Sequence, residues 1–97
     1  MATFIVLTNF TDQGIRTVKD TTKRAEQVQG LAKQIGIEMK DIYWTLGQYD
    51  MVAIVEAHDD ATLTAFGLAI GAAGNVRTQT LRAFSKDEMN GILRKMP

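Results

Sequence analysis

The sequence has no cysteine, which removes disulfides, thiolate metal sites and thiol nucleophiles together and makes a reducing, cytoplasmic setting the expected one. Its single proline is Pro97, so no proline-rich linker divides the chain, and no segment repeats at a fixed period. Excess charge of one sign is also lacking. Eleven Lys+Arg balance eleven Asp+Glu, leaving no global positive field to draw in nucleic acid or an anionic membrane. The uncharged stretch Ala61–Gly74 is too short to span a bilayer, and the opening MATFIVLTNF lacks the basic region and cleavage site of a signal peptide. What is present is 97 residues, 45% hydrophobic and 23% charged. That is the make-up of one folded domain, 1–97, with a core only just large enough for independent stability.

The order of elements follows from local patterning. Thr3–Thr8 is a β-branched and aromatic run, closed by Asn9 and by Thr11-Asp12-Gln13-Gly14, and reads as a strand entering a turn or helix start. Apolar residues then recur with helical spacing at Ile15, Val18, Ala25, Val28, Leu31, Ala32 and Ile35, with Gly36 placed to end the helix. Asp20-Thr21-Thr22 interrupts that pattern with cap-preferring residues. It fits either one continuous rod or a short helical piece followed by a longer helix from about Thr22. Ile37–Leu46 alternates but slips phase, which a bulge near Lys40-Asp41 reconciles. Gly47-Gln48 suits a two-residue type II′ turn into a strand over Tyr49–Val55. Asp59 or Asp60 caps a helix running to about Ala73 and stopped by Gly74, and Asn75–Phe84 is a fourth strand. Ser85 to Glu88 is a capping box opening a helix with Met89, Ile92, Leu93 and Met96 on one face, expected to dock on the body.

This βαββαβ order with a C-terminal helix is the α+β ferredoxin-like plan, which places the first and third strands at the centre of the sheet. Phe4-Ile5-Val6-Leu7 and Met51-Val52-Ala53-Ile54-Val55 are apolar on both parities, as strands covered on both faces should be. Two helices cover one face; a second copy of the chain is the simplest cover for the other, so at least a homodimer is expected.

Several segments carry a family resemblance: Thr11-Asp-Gln-Gly-Ile-Arg16, Lys19-Asp-Thr-Thr-Lys-Arg24, Thr45-Leu-Gly-Gln-Tyr-Asp50, Glu56-Ala57 and Gly74-Asn-Val-Arg-Thr-Gln-Thr-Leu-Arg82. In kind and order they resemble the GYD domain family, named for the Gly-x-Tyr-Asp found here as Gly47-Gln48-Tyr49-Asp50. The resemblance covers nearly the whole chain and implies a dimeric α/β-barrel, two ferredoxin-like units packed sheet to sheet. It implies little about activity. Thr22 and His58 stand where such sequences carry proline.

With the type II′ register, Ile42, Trp44, Leu46, Tyr49, Met51, Ala53 and Val55 share the face expected to meet the helices. The opposite face presents Tyr43, Thr45, Asp50, Val52, Ile54 and Glu56. An apolar surface carrying a few polar groups is what a small-molecule pocket needs, and Tyr43, Thr45, Asp50, Glu56 and Arg77 are the candidate ligand-binding residues. Asp50 is expected either to accept structural hydrogen bonds or pair with Arg77 or Arg82, or, unpaired and buried, to act as a proton-transfer group. His58 with Asp59 and Asp60 fits a helix cap better than a metal site, since adjacent residues rarely converge on one ion. Asn9, Trp44 and His58 are similar in kind to residues of haem-degrading proteins of the wider dimeric-barrel group, but strand parity turns Trp44 to the helix side. No metal or cofactor and no catalytic constellation is indicated. Gly67-Leu-Ala-Ile-Gly71 suggests close helix packing, and the nearly all-apolar Leu63–Ala72 suggests an assembly surface. Two readings stay open: a homo-oligomer that binds a small molecule between its sheets or serves as a scaffold, and a cofactor-independent oxygenase- or isomerase-type enzyme.

Overall fold

The computed structural model describes all residues from Met1 to Pro97. In chain order its elements are β1 (Ala2–Phe10), α1 (Asp12–Arg16), a 3-10 turn (Val18–Asp20), α2 (Thr21–Gln34), β2 (Glu38–Trp44), β3 (Met51–Ala57), α3 (Asp60–Ala72), β4 (Val76–Ala83) and α4 (Lys86–Leu93). The strands form one antiparallel sheet in the order β2-β3-β1-β4. This is the ferredoxin-like α+β plan, with the two doubly apolar strands in the centre. The cap-preferring Asp20-Thr21-Thr22 does break the first helix, so the interrupted form is the one adopted. The phase slip in β2 is resolved by a register shift between Met39 and Asp41, which lets Met39, Ile42 and Trp44 all reach the helix side.

Helix ends follow from their sequences. Gly36, with φ of 81°, follows α2, and the Ile37 and Gly36 amides donate to Ala32 O at 2.9 Å and Lys33 O at 3.3 Å. That paired closure uses the left-handed backbone glycine adopts without steric cost, and it delivers Ile37 into the core at 2% exposure. Asp59 caps α3 by accepting from the Thr62 amide at 2.7 Å, and both halves of the Ser85/Glu88 capping box are formed at α4. The core on the helix side is small: Phe4, Ala53, Val55 and Ala57 from the sheet meet Ala32, Ile37, Leu63 and Phe66.

Two distant segments are stapled at the β1 end of the sheet. The Thr11 amide donates to Asn75 O at 3.1 Å and its hydroxyl to Gly74 O at 2.5 Å, while Gln13 Nε2 donates to Ala73 O at 3.1 Å and Asn75 Oδ1 at 3.0 Å. Gly14 is buried there, pressed so closely on Asn75 that an added Cβ would sit 1.9 Å from the Asn75 carbonyl oxygen. Thr11-Asp-Gln-Gly and Gly74-Asn, two of the family-like segments, are therefore two sides of one contact.

Four expectations are corrected. The β2–β3 pairing holds its register, Trp44 opposite Met51, but the ladder stops there and Thr45–Asp50 forms a longer connection rather than a two-residue turn. Leu46 is fully exposed at its tip instead of facing the helices. The helices are not in close packing: α2 rests on β2 and α3 on β3 and β4, while an added Cβ at Gly71 meets nothing and one at Gly67 reaches only Thr78 Oγ1, at 4.0 Å. Finally α4 stands off the body, with no buried residue and with Met89, Leu93 and Met96 exposed. Its capping box makes it a helix, but no groove of its own protomer receives its apolar stripe.

Candidate functional site

The sheet face away from the helices is built by parity. Phe4, Val6 and Thr8 of β1 point to the helices, so Thr3, Ile5, Leu7 and Asn9 point the other way. Their partners on that face are Val52, Ile54 and Glu56 of β3 and Arg77, Gln79 and Leu81 of β4. Ile5, Leu7, Val52 and Ile54 are only half-buried, and Tyr43 and Leu81 are 57% and 42% exposed. No helix or strand of the protomer packs on this face; only the Tyr49 side chain crosses it. Its centre is apolar and its edges are polar.

The candidate residues divide into two groups. Tyr43, Glu56 and Arg77 lie on the open face at its edges, Tyr43 across from Val52, Glu56 opposite Thr3 and Arg77 opposite Asn9. Glu56 is 3.9 Å from the Lys40 ammonium, which also pairs with Glu38 at 3.1 Å. The hydrogen bond that its ammonium donates to Glu38, then the charges of Glu38 and Glu56, hold Lys40 above its ordinary pKa. Thr45 and Asp50 instead serve the β2–β3 connection. The Thr45 hydroxyl donates to Tyr49 O at 2.5 Å and its amide to Asp50 O at 2.8 Å. Asp50 donates its amide to Thr8 O and accepts the Phe10 amide at Oδ2, both at 2.9 Å. Neither Arg77 nor Arg82 pairs with it. Arg82 lies on the helix side, bridged to Glu88 at 3.7 Å and stacked over Phe84 at 4.5 Å.

Asp50 thus replaces the strand partner that the end of β1 lacks, because β3 has turned away before it could pair with Phe10. Asp50→Ala should cost about 1–2 kcal/mol by leaving a half-buried amide without an acceptor, whereas Asp50→Asn keeps an acceptor oxygen and should cost under about half of that. Chemical denaturation of both variants checks this order, and equal losses would refute it.

The two-residue turn predicts Tyr49 beside Trp44 on the helix side, yet its hydroxyl crosses the open face to donate to Gln79 Oε1 at 2.8 Å. Leaving the ladder at Met51 frees Tyr49 from strand parity. Trp44 stays on the helix side and donates from Nε1 to Thr21 Oγ1 at 3.0 Å, so it and Asn9 lie on opposite faces. At the start of α3, the amide of Thr62 holds the Asp59 carboxyl below its ordinary pKa; His58 is exposed. At α4 the Ser85 amide lowers Glu88 in the same way. No group of three or more His, Asp or Glu side chains is placed to hold a metal ion, and no helix is long and apolar enough to cross a membrane.

Two concavities lie on the helix side. An open groove of about 790 Å³ runs between α3 and the edge strand β4, with Asp60 and Arg82 at its margin; Arg77, on the edge strand at an open-face register position, also borders it. A tighter cavity of about 250 Å³ separates α2 from α3 over the sheet. The small Ala25, Ala69 and Ala73 on its walls are the sequence trace of this gap, indistinguishable locally from residues of a close helix contact.

Comparison with known proteins matches the family model described as GYD domain to residues 4–93. A Thermus thermophilus protein named "Glutamine synthetase and cystathionine beta-lyase binding protein" is 40% identical over 84 residues, covering 86% of this chain and 88% of its own. Among solved structures, a protein of Thermus thermophilus superposes with a TM-score of 0.55 at 28% identity, over 88% of this chain and 95% of that one. An ACT domain protein from Streptococcus pneumoniae gives 0.52 at 20% identity, over 100% and 98%, and shares the fold.

Proposed function

The chain belongs to the GYD domain family, and from that premise we propose that it is a cytoplasmic binding module without chemistry of its own, which pairs with a second copy through the open sheet face and docks as an assembly on a protein partner. The observation that carries the reading is surface left uncovered. A compact monomer of this mass exposes about 5,500 Å², whereas this protomer exposes 6750 Å². Its radius of gyration is 14.6 Å, against about 12.5 Å for a compact chain of this length. The excess surpasses the roughly 800 Å² that each partner buries in a standard interface. An apolar centre of Ile5, Leu7, Val52 and Ile54 within a polar rim of Tyr43, Glu56 and Arg77 has the anatomy of such an interface, and the projecting α4 offers a second apolar stripe for the partner protomer.

A protein partner follows from the Thermus thermophilus relative, named as binding glutamine synthetase and cystathionine beta-lyase; glutamine synthetase is the partner carried over here. The enzyme alternative finds less support, because Asp50, the best acid or base the sequence offered, is committed to the Phe10 amide. Purified chain mixed with purified glutamine synthetase from the same organism should co-sediment as a stoichiometric complex. Independent migration at concentrations up to about 100 μM, weaker than any specific complex of cellular use, would reject that partner.

A further inference from the structure

We infer that the cavity between α2, α3 and the sheet binds a small monocarboxylate with an apolar body. Fifteen of its 21 lining residues are hydrophobic, and its volume is about 250 Å³. A cavity of ~150 Å³ takes up benzene, so this one accommodates about ten non-hydrogen atoms at the same density. Val28 and Leu31 of α2 face Phe66 and Ile70 of α3 across it, and such walls supply affinity in proportion to the apolar area they withdraw from water.

Its polar groups set the rest of the ligand. Thr8 is buried to 7% exposure, yet its hydroxyl joins no hydrogen bond within the chain and is not sealed from the cavity. Thr78 stands opposite it on β4 and lines the same floor. Where α2 begins, the half-buried Arg24 lines one end. Two donors of its Nη1 reach Thr17, at 2.9 Å to O and 2.7 Å to Oγ1, and one of Nη2 reaches Gly14 O at 3.1 Å. A guanidinium has five such donors, so two remain while the stem is already held. All three ion pairs of the chain involve Lys40 or Arg82, leaving Arg24 without a carboxylate. A fixed cation with free donors at the end of an apolar cavity selects an anion carried on an apolar body, and the planar match of guanidinium and carboxylate makes that anion a carboxylate.

The test is an amide NMR titration of the full chain with sodium octanoate, whose ten non-hydrogen atoms fit the cavity, and with octan-1-ol. Octanoate should give saturable shifts at Thr8, Val28, Ile70 and Thr78, with octan-1-ol binding about tenfold more weakly. Arg24→Gln should remove that preference while leaving octan-1-ol binding in place. Ala69→Trp, which fills the cavity from α3, should weaken both ligands at least about tenfold; Ala25→Trp fills it from α2 if the first variant does not fold. Absence of saturable shifts up to about 5 mM octanoate, shifts confined to the open sheet face, or undiminished binding in the folded tryptophan variant would each overturn the inference. None of these outcomes depends on self-association or on a protein partner.

Discussion

Gly14→Ala should lower the melting temperature by roughly 15 °C, a loss of about 3 kcal/mol for a domain of this size. The new methyl group would lie 1.9 Å from the Asn75 carbonyl oxygen and 2.9 Å from its carbon, so backbone must move, and backbone cannot rotate aside as a flexible side chain does. The displacement falls on the Thr11–Gly74 and Thr11–Asn75 hydrogen bonds, on the Gly14 amide held at 3.1 Å by Thr11 Oγ1, and on the Gly14 carbonyl that anchors Arg24. Gly30→Ala is the control. An added Cβ there meets nothing within 4 Å inside α2, and removing the glycine's excess freedom should stabilise by about 0.5–1 kcal/mol. Thermal melts followed by circular dichroism decide it; a Gly14→Ala protein melting within about 3 °C of the parent would mean that the close approach is not required.

Ile54→Lys should convert an associated protein into a folded monomer, weakening self-association at least about a thousandfold, because the pairing would place an unpartnered ammonium in an apolar contact. Ile54 sits across from Ile5 on the open face, apart from the core of Phe4, Val55 and Phe66 on the other side, so the circular dichroism spectrum should be retained. Leu68→Lys is the informative counterpart. Leu68 is 70% exposed on α3, the helix whose composition suggested an assembly surface, and its substitution should leave the sheet-to-sheet pair intact. Sedimentation velocity of both variants reads the result directly. Dissociation by Leu68→Lys with Ile54→Lys unaffected would assign the interface to the helix face instead, and a monomeric parent at micromolar concentration would defeat the pairing altogether.

The family is legible along the chain alone, because its signature segments are contiguous: Gly47-Gln48-Tyr49-Asp50 and Gly74-Asn-Val-Arg stand intact in the sequence. Their purpose was not legible. That Thr11, Gln13 and Gly14 close upon Gly74 and Asn75 involves partners about sixty residues apart, a separation at which local pattern carries no information.

Whatever depends on neighbours along the chain was legible before any tertiary contact formed. Doubly apolar strands belong at the centre of a sheet, Gly36 ends a helix by adopting positive φ, Ser85 with Glu88 begins one, and a slipped alternation near Lys40 requires a bulge. Tertiary structure alone decided the features of the sites. Tyr49 escaped strand parity because the ladder ended at Met51, Asp50 was taken up by an amide forty residues away, and α4 found no groove in its own protomer. The gap between α2 and α3 belongs to the same class: alanines can seal a helix contact or line a cavity, and the separation of the helices, set by where β2 and β4 hold them, settles which.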